Sequence, residues 1–126
     1  AGNYWGKSAP AISAFVTNPT WSMSLGGRDL AYFELGMAAM SYQLQAVQEG
    51  LYVHPILGFN ADKGKEVLNL PKDSVLEILM IVGYPGDITS LNEKHQEIER
   101  GVRERMPLNQ VFNWDRWSDQ LLPQVK

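Results

Sequence analysis

A long segment with helical periodicity, from Asp29 to Gly50, constrains the fold of this 126-residue chain more than any other feature. Its apolar residues recur at steps of three and four, the spacing of one helix face, at Leu30, Phe33, Met37, Met40, Leu44 and Val47. Asp29 stands at the expected N-cap, and Gly50 stands just past the end, where glycine is favoured. About 21 residues at ~1.5 Å each predict a rod of roughly 31 Å, close to the width of a small domain.

A second stripe of small and aromatic residues runs along the same predicted helix, at Ala31, Leu35, Ala38, Ala39, Tyr42 and Ala46. A surface helix normally buries one face, whereas these two stripes give this helix two. We expect one face to pack on the protein's own sheet and the other to form a homodimer interface. A central core helix in a monomer is the alternative. Polar residues at Glu34, Gln43 and Gln45 interrupt any apolar run of the ~20 residues that a membrane span needs.

The composition is that of an ordinary soluble protein, and the length predicts that residues 1–126 form a single domain. The net charge of −3 gives no global field that favours nucleic acid or an anionic membrane. The absence of cysteine excludes a disulfide scaffold, a thiolate nucleophile and a cysteine-ligated metal. Because the chain begins without methionine and places the large groups Tyr4 and Trp5 near its start, we expect it to be part of a longer chain.

The other segments alternate between predicted strands, at 11–17, 51–54 and 74–82, and predicted helices, at 60–68 and 90–100. Pro55 is expected to end the second strand, and residues 20–27 have no period and are expected to form a mobile loop. The run 74–82 is almost unbroken apolar, which is typical of a strand buried on both faces. The pattern predicts an α+β fold of mixed layers, with a sheet flanked by helices.

No catalytic constellation stands out in the sequence. The two histidines, His54 and His95, are not spaced as metal ligands, and a structural role is expected for both. There is no P-loop, no Gly-x-Gly-x-x-Gly motif and no nucleophile elbow. The sequence therefore offers no acid–base pair and no nucleophile to carry a reaction.

Two short motifs could bind a ligand. In Pro55-Ile56-Leu57-Gly58, just past a strand, consecutive N–H groups can donate to the edge of a planar heterocycle, although a plain turn is the alternative. In Arg103-Glu104-Arg105, two arginines on the same side of an extended backbone can clamp a phosphate, although surface solubility is the alternative.

With these motifs in this order, the chain resembles the C-terminal half of FMN-dependent nitroreductases over nearly its whole length. The resemblance is carried by Gly2-Asn3-Tyr4-Trp5 with Ala9-Pro10, the helix ending Glu49-Gly50-Leu51, the segments 54–60, 68–71 and 81–86, and Arg103 to Leu108. Each piece is short, and their order and spacing together make the match. The family's N-terminal half, with its Arg-Ser-x-Arg phosphate motif, has no counterpart here, and Met106 stands where a basic residue is common.

The resemblance implies a homodimer with the long helix at its centre and two FMN sites at the subunit interface. It implies that the backbone at Leu57 and Gly58 faces the N5/O4 edge of the flavin, while Pro55 and Ile56 pack against the ring. It also implies that two arginines, Arg103 and Arg105, contact the FMN phosphate. A long central helix and a partial nitroreductase-like sheet are thus expected.

The resemblance further implies a cytoplasmic flavoprotein oxidoreductase with ping-pong kinetics, in which NAD(P)H reduces the flavin and a nitroaromatic, quinone or similar acceptor takes the electrons. The flavin supplies this chemistry, which accounts for the missing acid–base pair. Trp21, in the loop near the expected substrate position, is the candidate substrate contact. No metal, nucleic acid or membrane is expected as a partner. The alternative is a truncated dimerisation or binding module that has lost flavin binding.

Overall fold

The computed structural model of the protein describes residues 2–117. The chain divides into two compact units, the first ending at Asp87 and the second beginning at Ile88. The prediction that residues 1–126 form one domain stays a prediction.

Strands and helices alternate along the first unit. Its strands are β1 (Ala11–Thr17), β2 (Ser24–Leu25), β3 (Arg28–Asp29), β4 (Tyr52–Ile56) and β5 (Val75–Gly83). Its helices are α1 (Leu30–Gln48) and α2 (Ala61–Val67), with 3-10 helices at Tyr4–Ser8 and Pro19–Trp21. In the second unit, α3 (Glu93–Arg100) lies between 3-10 helices at Ile88–Ser90 and Leu108–Gln110. The predicted α+β fold is confirmed, and the predicted elements are present with their ends shifted by a few residues.

The main sheet has three antiparallel strands in the order β1-β5-β4, so β5 is central and β1 and β4 are edges of this sheet. The register places Ser13 opposite Met80 on one side and Pro55 opposite Met80 on the other. Between Phe15 and Val16 the register shifts, which marks a β-bulge. The central strand is the apolar run that the sequence singled out.

Both faces of β5 are buried, as predicted. Met80 is only 1% exposed and lies on the face of α1, because its cross-strand neighbour Ser13 bonds the Tyr42 hydroxyl of that helix at 2.6 Å. Ile81 is also buried and points to the opposite face. There it packs on the 3-10 helix at Gly6, where a Cβ would collide with the Ile81 side chain. Helical segments therefore cover the sheet on each side.

The ends of α1 follow the predicted signals. Gly50 has a φ of +76°, and the Gly50 and Leu51 amides donate to the carbonyls of Val47 and Ala46 at 3.0 and 2.9 Å. This is a Schellman motif, which requires the left-handed conformation that glycine adopts without strain. Asp29 is the N-cap residue, but its side chain makes no capping hydrogen bond.

The two stripes of α1 have different environments. Ala31 and Ala46 of the second stripe are buried, and Tyr42 packs edge-to-face on Phe15 of β1 with ring centroids 5.4 Å apart. The first stripe is largely exposed, with Phe33, Met37, Met40, Leu44 and Val47 between 49% and 64% accessible. The second stripe therefore packs on the sheet and the first leaves an apolar surface, which we call the α1 stripe. No helix within residues 2–117 is long and apolar enough to cross a membrane.

The prediction that Pro55 ends a strand is wrong. Strand β4 continues through Pro55 to Ile56, and Ile56 lies opposite Leu79. Proline lacks a backbone donor and is tolerated in an edge strand when its nitrogen faces away from the neighbouring strand. Because β4 is an edge strand, it accommodates Pro55 without losing a ladder bond.

The sequence predicts a mobile loop without regular structure over residues 20–27, and the predicted lack of regular structure is wrong. Strands β2 and β3 form a small hairpin, with Leu25 opposite Arg28. The two residues between them, Gly26 and Gly27, both have positive φ values, 59° and 74°. Two consecutive residues with positive φ form a tight turn whose twist matches that of the flanking strands of a hairpin. Glycine adopts these φ values without a steric penalty.

In the second unit, the helix predicted at 90–100 begins later than expected. Ser90 ends a 3-10 helix, and α3 begins at Glu93 with Asn92 as its N-cap. The Asn92 side chain accepts a hydrogen bond from the His95 amide at 2.9 Å. Asparagine is a favoured N-cap residue, so the helix begins after Asn92 and not at residue 90.

Candidate functional site

The candidate site is built around the short connection between β4 and α2. Asn60 ends this connection, because its side chain caps α2 by accepting from the Lys63 amide at 2.9 Å. Within it, the Phe59 amide donates to the Leu57 carbonyl at 2.9 Å, which closes a three-residue γ-turn with Gly58 at its centre. The chain at 57–59 therefore has a defined, compact conformation.

The amides of Leu57 and Gly58 are available to a ligand. Within residues 2–117, no hydrogen bond of either amide to a backbone carbonyl or a side chain is found. The Leu57 side chain is 73% exposed, and Gly58 is exposed as well. Backbone N–H groups need a partner or water, so two adjacent donors at the end of an edge strand form a hydrogen-bonding site for an acceptor.

Pro55 and Ile56 precede these amides on β4. Successive side chains of a strand point to opposite faces, so Pro55 shares a face with Met80 and α1, and Ile56 lies on the other face with Leu79. A flat ring that contacts both side chains must therefore lie at the open edge of β4. Their contact with a cofactor stays a prediction.

The interaction of Asn3 with this connection was not predicted from the sequence. The Asn3 side-chain Nδ2 donates to the Gly58 carbonyl at 3.2 Å, across 55 positions of sequence. Two residues later, the Trp5 ring meets the His54 ring edge-on, with centroids 4.9 Å apart. A polar residue just before two aromatic residues was the available signal, but only the fold reveals the partner.

Trp21, the predicted substrate contact, ends the 3-10 helix that precedes the β2–β3 hairpin and is 57% exposed. Its amide donates to the carbonyl of Asn18 at 2.9 Å. Asn18 is itself buried and donates to the carboxylate of Asp73 at 2.8 Å. The Trp21 side chain is thus exposed, while the backbone that carries it is held by hydrogen bonds through Asn18. Its contact with a substrate stays a prediction.

Arg103 and Arg105 lie in the second unit, between α3 and the 3-10 helix that follows it, and both are exposed. The Arg105 guanidinium donates to the Glu104 carbonyl at 2.7 Å. Neither arginine forms an ion pair within the described part of the chain. Both charges are therefore open to an anion, and their convergence with Leu57 and Gly58 on one ligand stays a prediction.

Among residues 2–117, no group of three histidine, aspartate or glutamate side chains is placed to hold a metal ion. The first unit offers backbone donors beside exposed apolar side chains, and the second unit, taken by itself, offers two arginines without an acidic partner among residues 2–117.

A protein-family model and the sequence of a known protein both match this chain. The model of the nitroreductase family matches residues 2–84. An uncharacterized 15.4 kDa protein from Mycolicibacterium smegmatis, from the ask 5' region, is 29% identical over 91 residues, covering 72% of this chain and 61% of the relative.

Several solved structures share the fold, among them two proteins whose names include FMN. A crystal structure of an oxidoreductase containing FMN superposes with a TM-score of 0.77 at 22% identity, covering 90% of this chain and 59% of that protein. An FMN- and NADPH-dependent nitroreductase, NfnB, from sphigopyxis sp. strain HMH gives a TM-score of 0.67 at 20% identity, covering 91% of this chain and 48% of that protein. The chain thus spans about 60% of the length of its first relatives.

Proposed function

The chain belongs to the nitroreductase family, and from this premise we propose that it is the flavin-facing part of an FMN-dependent NAD(P)H oxidoreductase. One observation carries the proposal: the edge strand β4 ends in two adjacent, exposed amides, Leu57 and Gly58, that have no protein acceptor within residues 2–117. The likeness to the FMN-containing oxidoreductase and to the FMN- and NADPH-dependent nitroreductase supports the choice of cofactor.

The residues around these amides fit an isoalloxazine edge. An added Cβ at Gly58 would meet only the Asn3 side chain within 4 Å, so space beside the backbone is open. Glycine at such a point lets a ligand approach the main chain closely. Leu57 and Gly58 would donate to the N5/O4 edge, while Pro55 and Ile56 would contact the ring at the edge of β4.

Bound flavin would supply the redox chemistry by accepting a hydride, two electrons and a proton, from NAD(P)H and passing them to a second substrate. The chain's own contribution is electrostatic. Fixed N–H donors stabilise negative charge that develops on the ring, and they need no reorganisation when it appears. NAD(P)H and the electron acceptor would occupy the same site one after the other, which gives ping-pong kinetics. The proposed electron acceptor is a nitroaromatic or a quinone. Trp21 is the proposed aromatic contact for that acceptor.

Arg103 and Arg105 are the proposed partners of the FMN phosphate. Both guanidinium groups are exposed and lack an acidic partner within the described residues. Hydrogen bonds to charged groups are worth about 1.5–3 kcal/mol each, so this pair would account for a large share of cofactor affinity.

The active form is proposed to be a homodimer that forms through the α1 stripe. Five large apolar side chains of this stripe are between 49% and 64% exposed, and contiguous apolar surfaces of this kind usually mark an interaction site. A second copy of the same helix presents the same stripe, which suits a two-fold symmetric interface.

Flavin titration tests the proposed function directly. We expect the purified protein to quench FMN fluorescence at a stoichiometry of one per chain, and the bound flavin band to bleach when NADH or NADPH is added without oxygen. Reoxidation by a nitroaromatic or a quinone would complete the cycle. A protein that leaves FMN fluorescence and absorbance unchanged at high concentration would refute the flavin assignment and favour the dimerisation module instead.

A further inference from the structure

The peptide group between Gly58 and Phe59 is held at both of its polar ends. Its carbonyl accepts from the Asn3 side chain at 3.2 Å, and its N–H donates to the Leu57 carbonyl at 2.9 Å. The two preceding N–H groups, those of Leu57 and Gly58, have no acceptor within the described residues. The Leu57 carbonyl shares its peptide group with the Gly58 N–H, so the held Gly58–Phe59 peptide restrains the Gly58 donor directly and the Leu57 donor through one further residue.

Asn3 is itself fixed by the segment that carries it. Its carbonyl accepts from the Gly6 amide at 3.1 Å, at the start of the 3-10 helix Tyr4–Ser8. That helix is seated on the sheet by two contacts. The Trp5 ring packs on His54 of β4, and Gly6 is buried against Ile81 with no room for a side chain. The Asn3 amide is thus attached to the same sheet that carries the 57–59 turn.

We propose that Asn3 is a positioning residue that holds the 57–59 turn so that the Leu57 and Gly58 amides point in one direction. The identity of the ligand, a flavin, rests on the function proposed above. The effect of Asn3 on the conformation of the turn does not depend on that function. A γ-turn has one internal hydrogen bond. Without Asn3, the exposed turn would be free to rotate its peptide planes, and two donors that sample several directions bind a flat acceptor less tightly.

The test uses three substitutions of Asn3 in the protein. Asn3→Ala removes the donor, Asn3→Asp keeps the shape but can only accept, and Asn3→Gln retains the amide donor on a longer side chain. Asn113→Asp is the matched control, because the Asn113 side chain also donates to a backbone carbonyl, that of Arg116, at 3.2 Å. Backbone order parameters at Leu57, Gly58 and Phe59 and the FMN dissociation constant are measured for each variant.

We expect Asn3→Ala and Asn3→Asp to lower the order parameters at 57–59 from about 0.85 towards 0.6, with those of β1 unchanged. The FMN dissociation constant should rise about 3- to 10-fold, as one exposed hydrogen bond allows. Asn3→Gln should recover part of both values, and Asn113→Asp should alter neither. Partial rescue by glutamine separates positioning from a general loss of folding.

Two results would overturn the inference. One is an Asn3→Asp protein whose order parameters at 57–59 equal those of the wild type. The other is a turn that loosens while FMN affinity stays constant. If the wild type takes up no FMN, the proposed function fails, whereas the order parameters still decide whether Asn3 holds the turn.

Discussion

Replacing Gly58 with alanine tests whether the backbone at this position binds FMN without disturbing the stability of the fold. In the structure, a Cβ at this position would lie 3.5 Å from the Asn3 Nδ2, an ordinary van der Waals contact, with no other heavy atom outside the adjoining residues within 4 Å. The φ of Gly58 is not in the left-handed region. Alanine therefore fits the γ-turn without strain, and we expect Gly58→Ala to fold normally.

We expect Gly58→Ala to change the free energy of unfolding much less than it changes FMN affinity. Alanine in place of glycine at a compatible site changes the free energy of unfolding by about 1 kcal/mol at most, usually as a gain, because the unfolded chain has less freedom. The methyl group, however, would occupy open space beside the Gly58 backbone, where the proposed flavin ring would approach. Loss of two such hydrogen bonds, at about 0.5–1.5 kcal/mol each, predicts a 5- to 150-fold rise in the FMN dissociation constant.

The assay pairs thermal unfolding with FMN fluorescence titration on the same preparations. Gly86→Ala is the matched control, because a Cβ there meets nothing within 4 Å and its φ is not positive. We expect both variants to unfold within a few degrees of the wild type and only Gly58→Ala to bind FMN weakly. Wild-type FMN affinity in a stable Gly58→Ala protein would refute the proposal that these amides meet the flavin.

Three further predictions follow from exposed and conformationally special positions. Replacing both Arg103 and Arg105 with alanine should weaken FMN binding by roughly 1.5–3 kcal/mol for each lost charged contact, measured by titration, whereas binding that resists both changes would exclude them from the phosphate site. If the protein is the proposed homodimer, Met37→Glu should convert it to monomer in sedimentation velocity, because a charge would be buried in the α1 stripe, and a persistent dimer would place the interface elsewhere. Gly50→Ala should lower the free energy of unfolding in urea by about 1–2 kcal/mol, because alanine is strained at a φ of +76°. An unchanged urea midpoint would show that the Schellman motif contributes little.

The location of the candidate backbone donors could be anticipated from residue types. The Pro-x-x-Gly sequence at 55–58 predicted backbone donors after a strand, and within residues 2–117 the exposed amides of Leu57 and Gly58 have no protein acceptor, while their contact with a cofactor stays a prediction. The γ-turn that orients them could not be anticipated, because it depends on φ and ψ at Gly58, a residue that tolerates almost any conformation. The hairpin at 24–29 was not predicted from the sequence. Gly26-Gly27 is a favourable hairpin turn, but the residues on either side lack the alternating apolar pattern that indicates strands.

By itself, the sequence determined the features that depend on residues close together in the chain: the period and glycine stop of α1 and the apolar run of β5. These survive in the structure because each is set by interactions within a few residues. Only the tertiary structure decided that Pro55 lies inside a strand, since a proline is tolerated there only if that strand is an edge. It also decided which stripe of α1 stays exposed and that Asn3 reaches Gly58, because contacts between residues 55 positions apart arise only when the sheet assembles.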